Sequence, residues 1–121
     1  MVQPKRTNYA LCIYLFLLLM LVGQININHC RAASDNLCFM ISKGEISDIY
    51  LVQEPYRLKN GNIPGLPKGY KVFGLASTHA CIITHNTSPL FFSPELSAKD
   101  FTVCFYEYEG KKKIFCFMLH R

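Results

Sequence analysis

The feature of this sequence that most constrains its fold is a hairpin near the C-terminus whose strands are apolar on both faces. Phe101–Tyr108 carries apolar or aromatic side chains at most positions, and Ile114–Leu119 does so again after the turn at Glu109–Lys112. Alternate residues of a strand point to opposite faces, so a half-buried strand should alternate apolar with polar side chains. This hairpin therefore needs cover on both faces, from the rest of a small chain, from a partner or from an apolar ligand.

The first residues resemble a targeting segment. Lys5 and Arg6 precede the continuous apolar run Leu11–Val22, which has the length of a signal-peptide core and is short for a membrane span. The pattern predicts a secreted, extracellular protein whose signal peptide covers residues 1–23, with cleavage after Gly23. Cleavage near Ala32, where small residues cluster, is the alternative, and an uncleaved membrane anchor is a competing interpretation.

The cysteine count depends on that cleavage site. The chain has six cysteines, and a cut after Gly23 leaves five, whereas a cut after Ala32 leaves four. An even number suits full pairing in an oxidising compartment, and an odd number leaves one thiol buried or available to another chain. Disulfides are expected in either case, because a domain of about a hundred residues has a marginal core.

The remaining chain reads as an N-terminal arm over residues 24–36 and one β domain over residues 37–121. Gly and Pro punctuation is dense at Asn60–Gly69, which predicts a loop. Short runs of strand-forming residues separated by turns, with no convincing helix, predict an all-β sandwich or barrel of short antiparallel strands. The predicted strands before the closing hairpin are Leu37–Ile41, Ile46–Val52, Tyr70–Ala76, Ala80–Thr84 and Leu90–Ser93.

Charge and motif content argue against catalysis and against nucleic acid as a partner. The formal net charge of +5 is modest, and the basic residues form no dense cluster of the kind that marks a nucleic-acid binder. No Gly-x-Ser-x-Gly elbow or cysteine-protease signature is present. The sequence therefore predicts a protein that is not an enzyme.

Two local patterns have the residue types of a metal site and of a glycosylation site. His79, Cys81 and His85 are metal-ligating residue types, but a structural zinc site normally needs four ligands, so no metal and no cofactor is predicted. Asn86-Thr-Ser88 fits the N-glycosylation pattern and predicts an exposed, glycosylated loop.

A set of apolar residues on the predicted strands could line a lipid pocket or simply form the core. Cavities that hold small ligands are lined mainly by apolar and aromatic side chains with few polar groups. The candidate lipid-binding residues are Phe73, Leu75, Phe91, Phe92, Phe101, Val103, Phe105, Phe115 and Phe117.

Four segments resemble the lipid-recognition (ML) domain family: Cys38-Phe-Met-Ile-Ser-Lys-Gly44, Cys81-Ile-Ile-Thr84, Phe101-Thr-Val-Cys-Phe-Tyr-Glu-Tyr-Glu109 and Ile114-Phe-Cys-Phe-Met-Leu119. The resemblance implies an immunoglobulin-like β-sandwich whose two sheets spread apart around an apolar ligand. It also implies a disulfide between Cys30 and Cys116. Cys104 resembles a cysteine of that family that can stay unpaired, which makes it a candidate free thiol. The local disulfide partners that the family has beside Cys38 and Cys81 are missing, so these two are expected to pair with each other.

The leading functional hypothesis is a secreted, non-catalytic carrier that holds a sterol, fatty acid or acylated lipid between two sheets. Burial of apolar surface, at about 25 cal/mol per Å², would supply its affinity. The alternative is a secreted immunoglobulin-like or cytokine-like module that binds a protein, such as a cell-surface receptor, and carries no lipid.

Overall fold

Eight strands, one α-helix and one short 3₁₀ helix make up the part of the chain that the structure, a computed structural model, describes. The described residues are 10–12, 22–44, 48–75, 78–108 and 110–118. The elements are β1 (Ala10–Cys12), β2 (Val22–Asn26), α1 (Arg31–Ser42), β3 (Ile49–Gln53), β4 (Tyr70–Phe73), β5 (Ala80–His85), β6 (Leu90–Phe92), the 3₁₀ helix Pro94–Leu96, β7 (Phe101–Tyr108) and β8 (Lys111–Met118).

The strands form two sheets, which confirms the expectation of a β-rich fold. Sheet 1 has the order β1-β2-β3-β5-β4, and sheet 2 has the order β6-β7-β8. All neighbouring strands are antiparallel except β2 and β3, which run parallel with Val22 opposite Ile49 and Asn26 opposite Gln53. A parallel pair departs from the predicted sandwich of antiparallel strands, and the immunoglobulin-like arrangement is not what the structure shows.

The helix α1 forms because its apolar residues recur with helical spacing. Ser34, Leu37, Cys38 and Ile41 are buried on one face, at the intervals that a 3.6-residue period requires. Gly44 follows the helix with a φ of +71°, a left-handed conformation that suits glycine, and its N–H donates to the Ile41 carbonyl at 3.0 Å. The strand predicted over residues 37–41 is therefore wrong. The helix provides the crossover that a parallel strand pair needs.

The central strands β3 and β5 of sheet 1 are buried on both faces. Between the sheets lies the inter-sheet cluster, and between sheet 1 and α1 lies the helix-side cluster. The four residues Ile49–Val52 alternate between these two clusters, which explains why β3 has no polar face. The inter-sheet cluster comprises Val22, Ile49, Leu51, Phe73, Ala80, Ile82, Leu90 and Cys104. The helix-side cluster comprises Ile27, Leu37, Cys38, Ile41, Tyr50, Val52, Ile63, Cys81 and Ile83.

The predicted segment boundaries fall inside regular elements. The boundary between residues 23 and 24 lies within β2, whose first residue, Val22, is fully buried in the inter-sheet cluster. The boundary between residues 36 and 37 lies within α1. Removal of a leader stays a prediction. Within the described ranges, no helix is both long and apolar enough to cross a membrane.

Candidate functional site

Polar side chains gather at one edge of sheet 1. The parallel strands β2 and β3 end there together, with Asn26 opposite Gln53, and the antiparallel strand β5 begins there, with Ala80 opposite Gln53. The residues that follow β2 and β3 and precede β5 therefore converge. We call this cluster the Glu54 edge, and it consists of Asn28, His29, Glu54, His79 and Asp100.

The backbone at the Glu54 edge is strained. Among the described residues, three that are not glycine adopt positive φ, namely Asn28 (57°), His29 (57°) and Glu54 (48°), and all three lie at this edge. Asparagine tolerates the left-handed region, but glutamate rarely adopts it, and such residues cost about 1–3 kcal/mol each. Strain of this kind concentrates at functional sites, where the surrounding structure holds it in place.

Main-chain hydrogen bonds hold these strained residues. The His29 N–H donates to the Glu54 carbonyl at 2.8 Å, and the Glu54 N–H donates to the His79 carbonyl at 2.7 Å. The Asn26 side-chain oxygen accepts from the Asn28 N–H at 2.8 Å, which closes an Asx turn directly after β2. Glu54 is thus fixed between two histidine-bearing segments.

An imidazole and a carboxylate are paired beside Glu54. His79 Nδ1 lies 3.0 Å from Asp100 Oδ1, with the histidine side chain 24% exposed and the aspartate 57% exposed. The His29 ring packs edge-on against the His79 ring, with centroids 6.3 Å apart, and His29 Nδ1 lies 3.3 Å from the Pro55 carbonyl. A partner on Nδ1 fixes the ring and directs Nε2 as the nitrogen for other contacts.

The Glu54 carboxylate is available to a ligand. Glu54 is partly exposed, and its side chain makes no hydrogen bond or ion pair with another described residue. A carboxylate beside an oriented imidazole can accept a proton, carry a cation or position water. The Glu54 edge therefore has the chemistry of a site that acts on a polar bond.

The chain that follows Glu54 is cationic. Residues 55–94 include Arg57, Lys59, Lys68 and Lys71 and contain no aspartate or glutamate. These residues form the loop after β3, strands β4 and β5, and the turn to β6, so positive charge extends from the Glu54 edge. The modest net charge of the whole chain does not reveal this local excess of positive charge.

The predicted lipid-binding residues whose side chains are described lie in different surroundings. Phe73 and Phe92 stack between the sheets, with ring centroids 5.8 Å apart, whereas Phe91 on the opposite face of β6 is 54% exposed. Val103 is buried, and Leu75, Phe101 and Phe105 are partly buried. On β7 it is the Thr102 and Cys104 face that packs toward sheet 1, because the Thr102 hydroxyl donates to the Ala80 carbonyl at 2.8 Å. The Phe115 and Phe117 side chains lie outside the described residues.

The predicted disulfides are absent from the described residues. Cys38 and Cys81 are both buried in the helix-side cluster but remain thiols, and Cys30 is an exposed thiol. Burial raises the pKa of Cys81 to about 12, with the Arg57 charge opposing the shift, and burial and Asp35 raise the pKa of Cys38. Cys104 is buried in the inter-sheet cluster, and the Cys116 side chain lies outside the described residues.

The cysteines should differ sharply in reactivity. The thiolate is the reactive form, so an exposed Cys30 should be alkylated quickly by iodoacetamide at pH 8, whereas Cys38 and Cys81 should be protected. Native and denatured protein would be alkylated without reductant and compared by peptide mass spectrometry, and denaturation should expose Cys38 and Cys81 to the reagent. A Cys38–Cys81 crosslink would contradict the structure.

The other residues weighed in the sequence lie apart. Cys81 is buried, His79 lies at the Glu54 edge, and the exposed His85 directs Nδ1 to the Thr87 hydroxyl at 2.9 Å. Within the described residues, no three histidine, cysteine, aspartate or glutamate side chains are grouped to hold a metal ion. Asn86 lies in an exposed turn, and its glycosylation stays a prediction.

Sequence reasoning missed the Glu54 edge. The available signal was a carboxylate two residues after the apolar run Ile49–Val52, together with Asn26 and Asn28 after another apolar run. Polar residues are common in the loops that follow strands. Only the parallel pairing of β2 with β3 shows that these particular residues lie close together.

Comparison with known proteins gives a similarity of fold. No protein-family model matches the chain, and no curated protein sequence is significantly similar to it. A solved structure, the endonuclease domain of TRAS1, a telomere-specific non-LTR retrotransposon, matches with a TM-score of 0.61 and 18% sequence identity. The alignment covers 83% of this chain and 45% of that chain.

This similarity corrects the functional predictions. The lipid carrier, the receptor-binding alternative, the absence of enzyme activity and the exclusion of nucleic acid are all overturned, because the similar fold is that of an endonuclease domain. The secreted location and the lipid-recognition family resemblance stay predictions. The chain is therefore similar in fold to part of a retrotransposon endonuclease domain, and spans less than half the length of that chain.

Proposed function

We propose that this chain carries a site for cleavage of the nucleic-acid backbone, centred on the Glu54 edge. The observation that carries the proposal is the strained Glu54, which follows the central strand β3 and whose main chain is hydrogen-bonded to His79, the partner of Asp100. The fold similarity to an endonuclease domain supports the same reaction class. The immunoglobulin-like sandwich has no support from either source.

The chemistry required is hydrolysis of a phosphodiester. Water attacks phosphorus, the bond from phosphorus to the leaving oxygen breaks, and the leaving oxygen gains a proton. Glu54 would accept the proton of the attacking water, and His79 would donate a proton to the leaving oxygen. Asp100 on Nδ1 keeps the imidazole in the orientation that this role needs.

The donor set at this edge is compatible with Mg²⁺. This cation keeps several waters and is often held by one or two carboxylates together with substrate phosphate, so a cage of protein ligands is not required. Glu54 would supply the carboxylate. When bound, Mg²⁺ would neutralise charge that develops on the phosphate.

The cationic stretch after Glu54 would attract the substrate. Arg57, Lys59 and Lys68 lie on the loop that adjoins the edge, and nucleic-acid affinity depends mainly on such contacts to phosphate. Binding should therefore weaken steeply as salt rises.

A direct test is nicking of supercoiled plasmid by the purified full-length chain. We expect conversion to nicked circles with Mg²⁺, and loss of conversion when EDTA replaces it. Binding of a labelled oligonucleotide would be measured in parallel by fluorescence anisotropy at two salt concentrations. A folded chain that neither binds nor nicks DNA would overturn the proposal.

Asp100→Asn should slow cleavage by about 100-fold or more, because the amide no longer holds the imidazole in the tautomer and orientation that proton transfer requires. The variant should lower kcat with little change in KM, since Asp100 orients the imidazole and does not contact substrate in this proposal. Rates would be measured with a labelled oligonucleotide.

Asp35→Asn is the matched control. Asp35 lies on α1, is exposed and is 3.9 Å from Arg31 in a surface ion pair that contributes little. It should cleave at the wild-type rate. If both aspartate variants lose the same activity, the His79–Asp100 pair has no specific role.

A further inference from the structure

A cleft of about 510 Å³ lies beside the Glu54 edge, between the loop after β3 and strand β4. Its volume falls in the range of small-ligand sites. None of the predicted lipid-binding residues lines it. The lining residues are Arg57, Asn60, Gly61, Asn62, Ile63, Leu66, Tyr70, Val72 and Gly74.

Local hydrogen bonds keep the cleft open. The Asn60 side-chain oxygen accepts from the Asn62 N–H at 3.0 Å, and the Leu58 N–H donates to the Asn62 carbonyl at 2.8 Å. Gly61 has a φ of +89°, which a larger residue would adopt only with strain. The 60–62 part of the loop is therefore held in one conformation, while Ile63 and Leu66 further along the loop pack in the same cluster as Tyr70 and Val72 of β4.

Arg57 fixes a positive charge in the wall of the cleft. One terminal nitrogen donates to the Gly61 carbonyl at 2.9 Å, and the other donates to the Thr78 hydroxyl at 3.2 Å. Its Nε is buried with no partner. The guanidinium is held in place before any ligand binds, so little side-chain entropy is lost on binding.

The lining chemistry suits a flat ring with polar edges. Ile63, Leu66 and Val72 are apolar, and Tyr70 offers an aromatic ring. Asn60 and Asn62 are exposed amides at the rim, and an amide can both donate to and accept from the edge of a base. Nucleobases combine apolar faces with such edges, and they stack on aromatic side chains.

The cleft adjoins the Glu54 edge. Arg57 lies three residues beyond Glu54, and its partner Thr78 directly precedes His79. A nucleic-acid strand whose phosphate reaches the Glu54 edge therefore has a neighbouring nucleotide near the cleft. Lys59 and Lys68, exposed on the same loop, can follow its backbone.

We propose that this cleft binds one unstacked base of the nucleic-acid strand that lies across the Glu54 edge. The inference rests on the proposed function, because that function places the strand there. It adds a site that selects single-stranded or distorted nucleic acid, since a base must leave the stack to enter.

The test compares two labelled single-stranded oligonucleotides of equal length, one with all its bases and one composed of abasic sites. Wild-type full-length chain should bind the first more tightly by fluorescence anisotropy. Asn62→Ala and Tyr70→Leu should each remove most of that preference, with a loss of about fivefold or more for the stacking residue. Both should bind the abasic strand as the wild type does, because phosphate contacts remain.

Asn36→Ala is the control, an exposed asparagine on α1 away from the cleft, and circular dichroism would check that every variant folds. If Asn62→Ala and Tyr70→Leu bind both strands as the wild type does, or if the wild type shows no preference, the cleft inference is wrong. Cleavage is assayed separately. If the chain prefers the strand with bases but does not nick DNA, only the proposed function is wrong. If it nicks DNA without preferring the strand with bases, only the cleft inference is wrong.

Discussion

Glu54→Gln should lower the rate of strand cleavage by about 100-fold or more, the scale expected when a group that transfers a proton in the reaction is lost. The amide keeps the size of the side chain but can neither accept a proton at neutral pH nor carry negative charge. The strained backbone at this position is held by bonds to His29 and His79 that do not involve the side chain. We therefore expect the variant to fold, and to bind oligonucleotide at least as tightly as the wild type.

Glu95→Gln provides the matched control for the same substitution. Glu95 is exposed in the 3₁₀ helix Pro94–Leu96, which packs near β7 and not at the Glu54 edge. Single-turnover cleavage of a labelled oligonucleotide would compare the two variants. If Glu54→Gln cleaves at the wild-type rate, Glu54 has no part in the proposed mechanism, whether or not binding changes.

Ile82→Ala should destabilise the protein by about 2–5 kcal/mol, the range for truncation of a large aliphatic side chain in a core. Ile82 is fully buried in the inter-sheet cluster and lies opposite both Leu51 and Phe73 in the sheet register. The cavity would face both sheets, which limits how far the neighbours can relax. The measurement is urea unfolding followed by circular dichroism.

Phe39→Ala is the control for that loss of stability. Phe39 lies on α1 but is 57% exposed, so truncation should change the free energy of unfolding by less than about 0.5 kcal/mol. Equal destabilisation by the two substitutions would mean that the sheets do not pack through Ile82 as described.

Much of sheet structure was predictable from local sequence. Runs of β-branched and aromatic residues predict β3, β5 and the two strands of the closing hairpin, and all four are strands in the structure. Helix α1 was not predicted, because Leu37–Ile41 taken alone suits a strand as well as a helix. The helical period becomes visible only with Ser34, a small residue that the helix buries. Parallel pairing of β2 with β3 depends on the crossover and could not be read from either strand.

The candidate site was less predictable than the fold. His79 was noticed, but as a metal ligand near Cys81, and the structure instead gives it Asp100 as a partner from 21 residues away. The sequence pattern predicts a strand that ends at Val52 and gives Glu54 no role. Its left-handed backbone follows from hydrogen bonds to two distant segments, and no local pattern announces it.

The dispersal of the Glu54 edge along the chain has a consequence for folding. Its residues come from the segments after β2 and β3 and before β5 and β7, and contacts between such distant segments form late and slowly. A partly synthesised or partly unfolded chain contains these side chains without bringing them together. If the proposed function is correct, the chain can cut nucleic acid only after both sheets have formed. An incompletely folded chain would therefore have no nuclease activity.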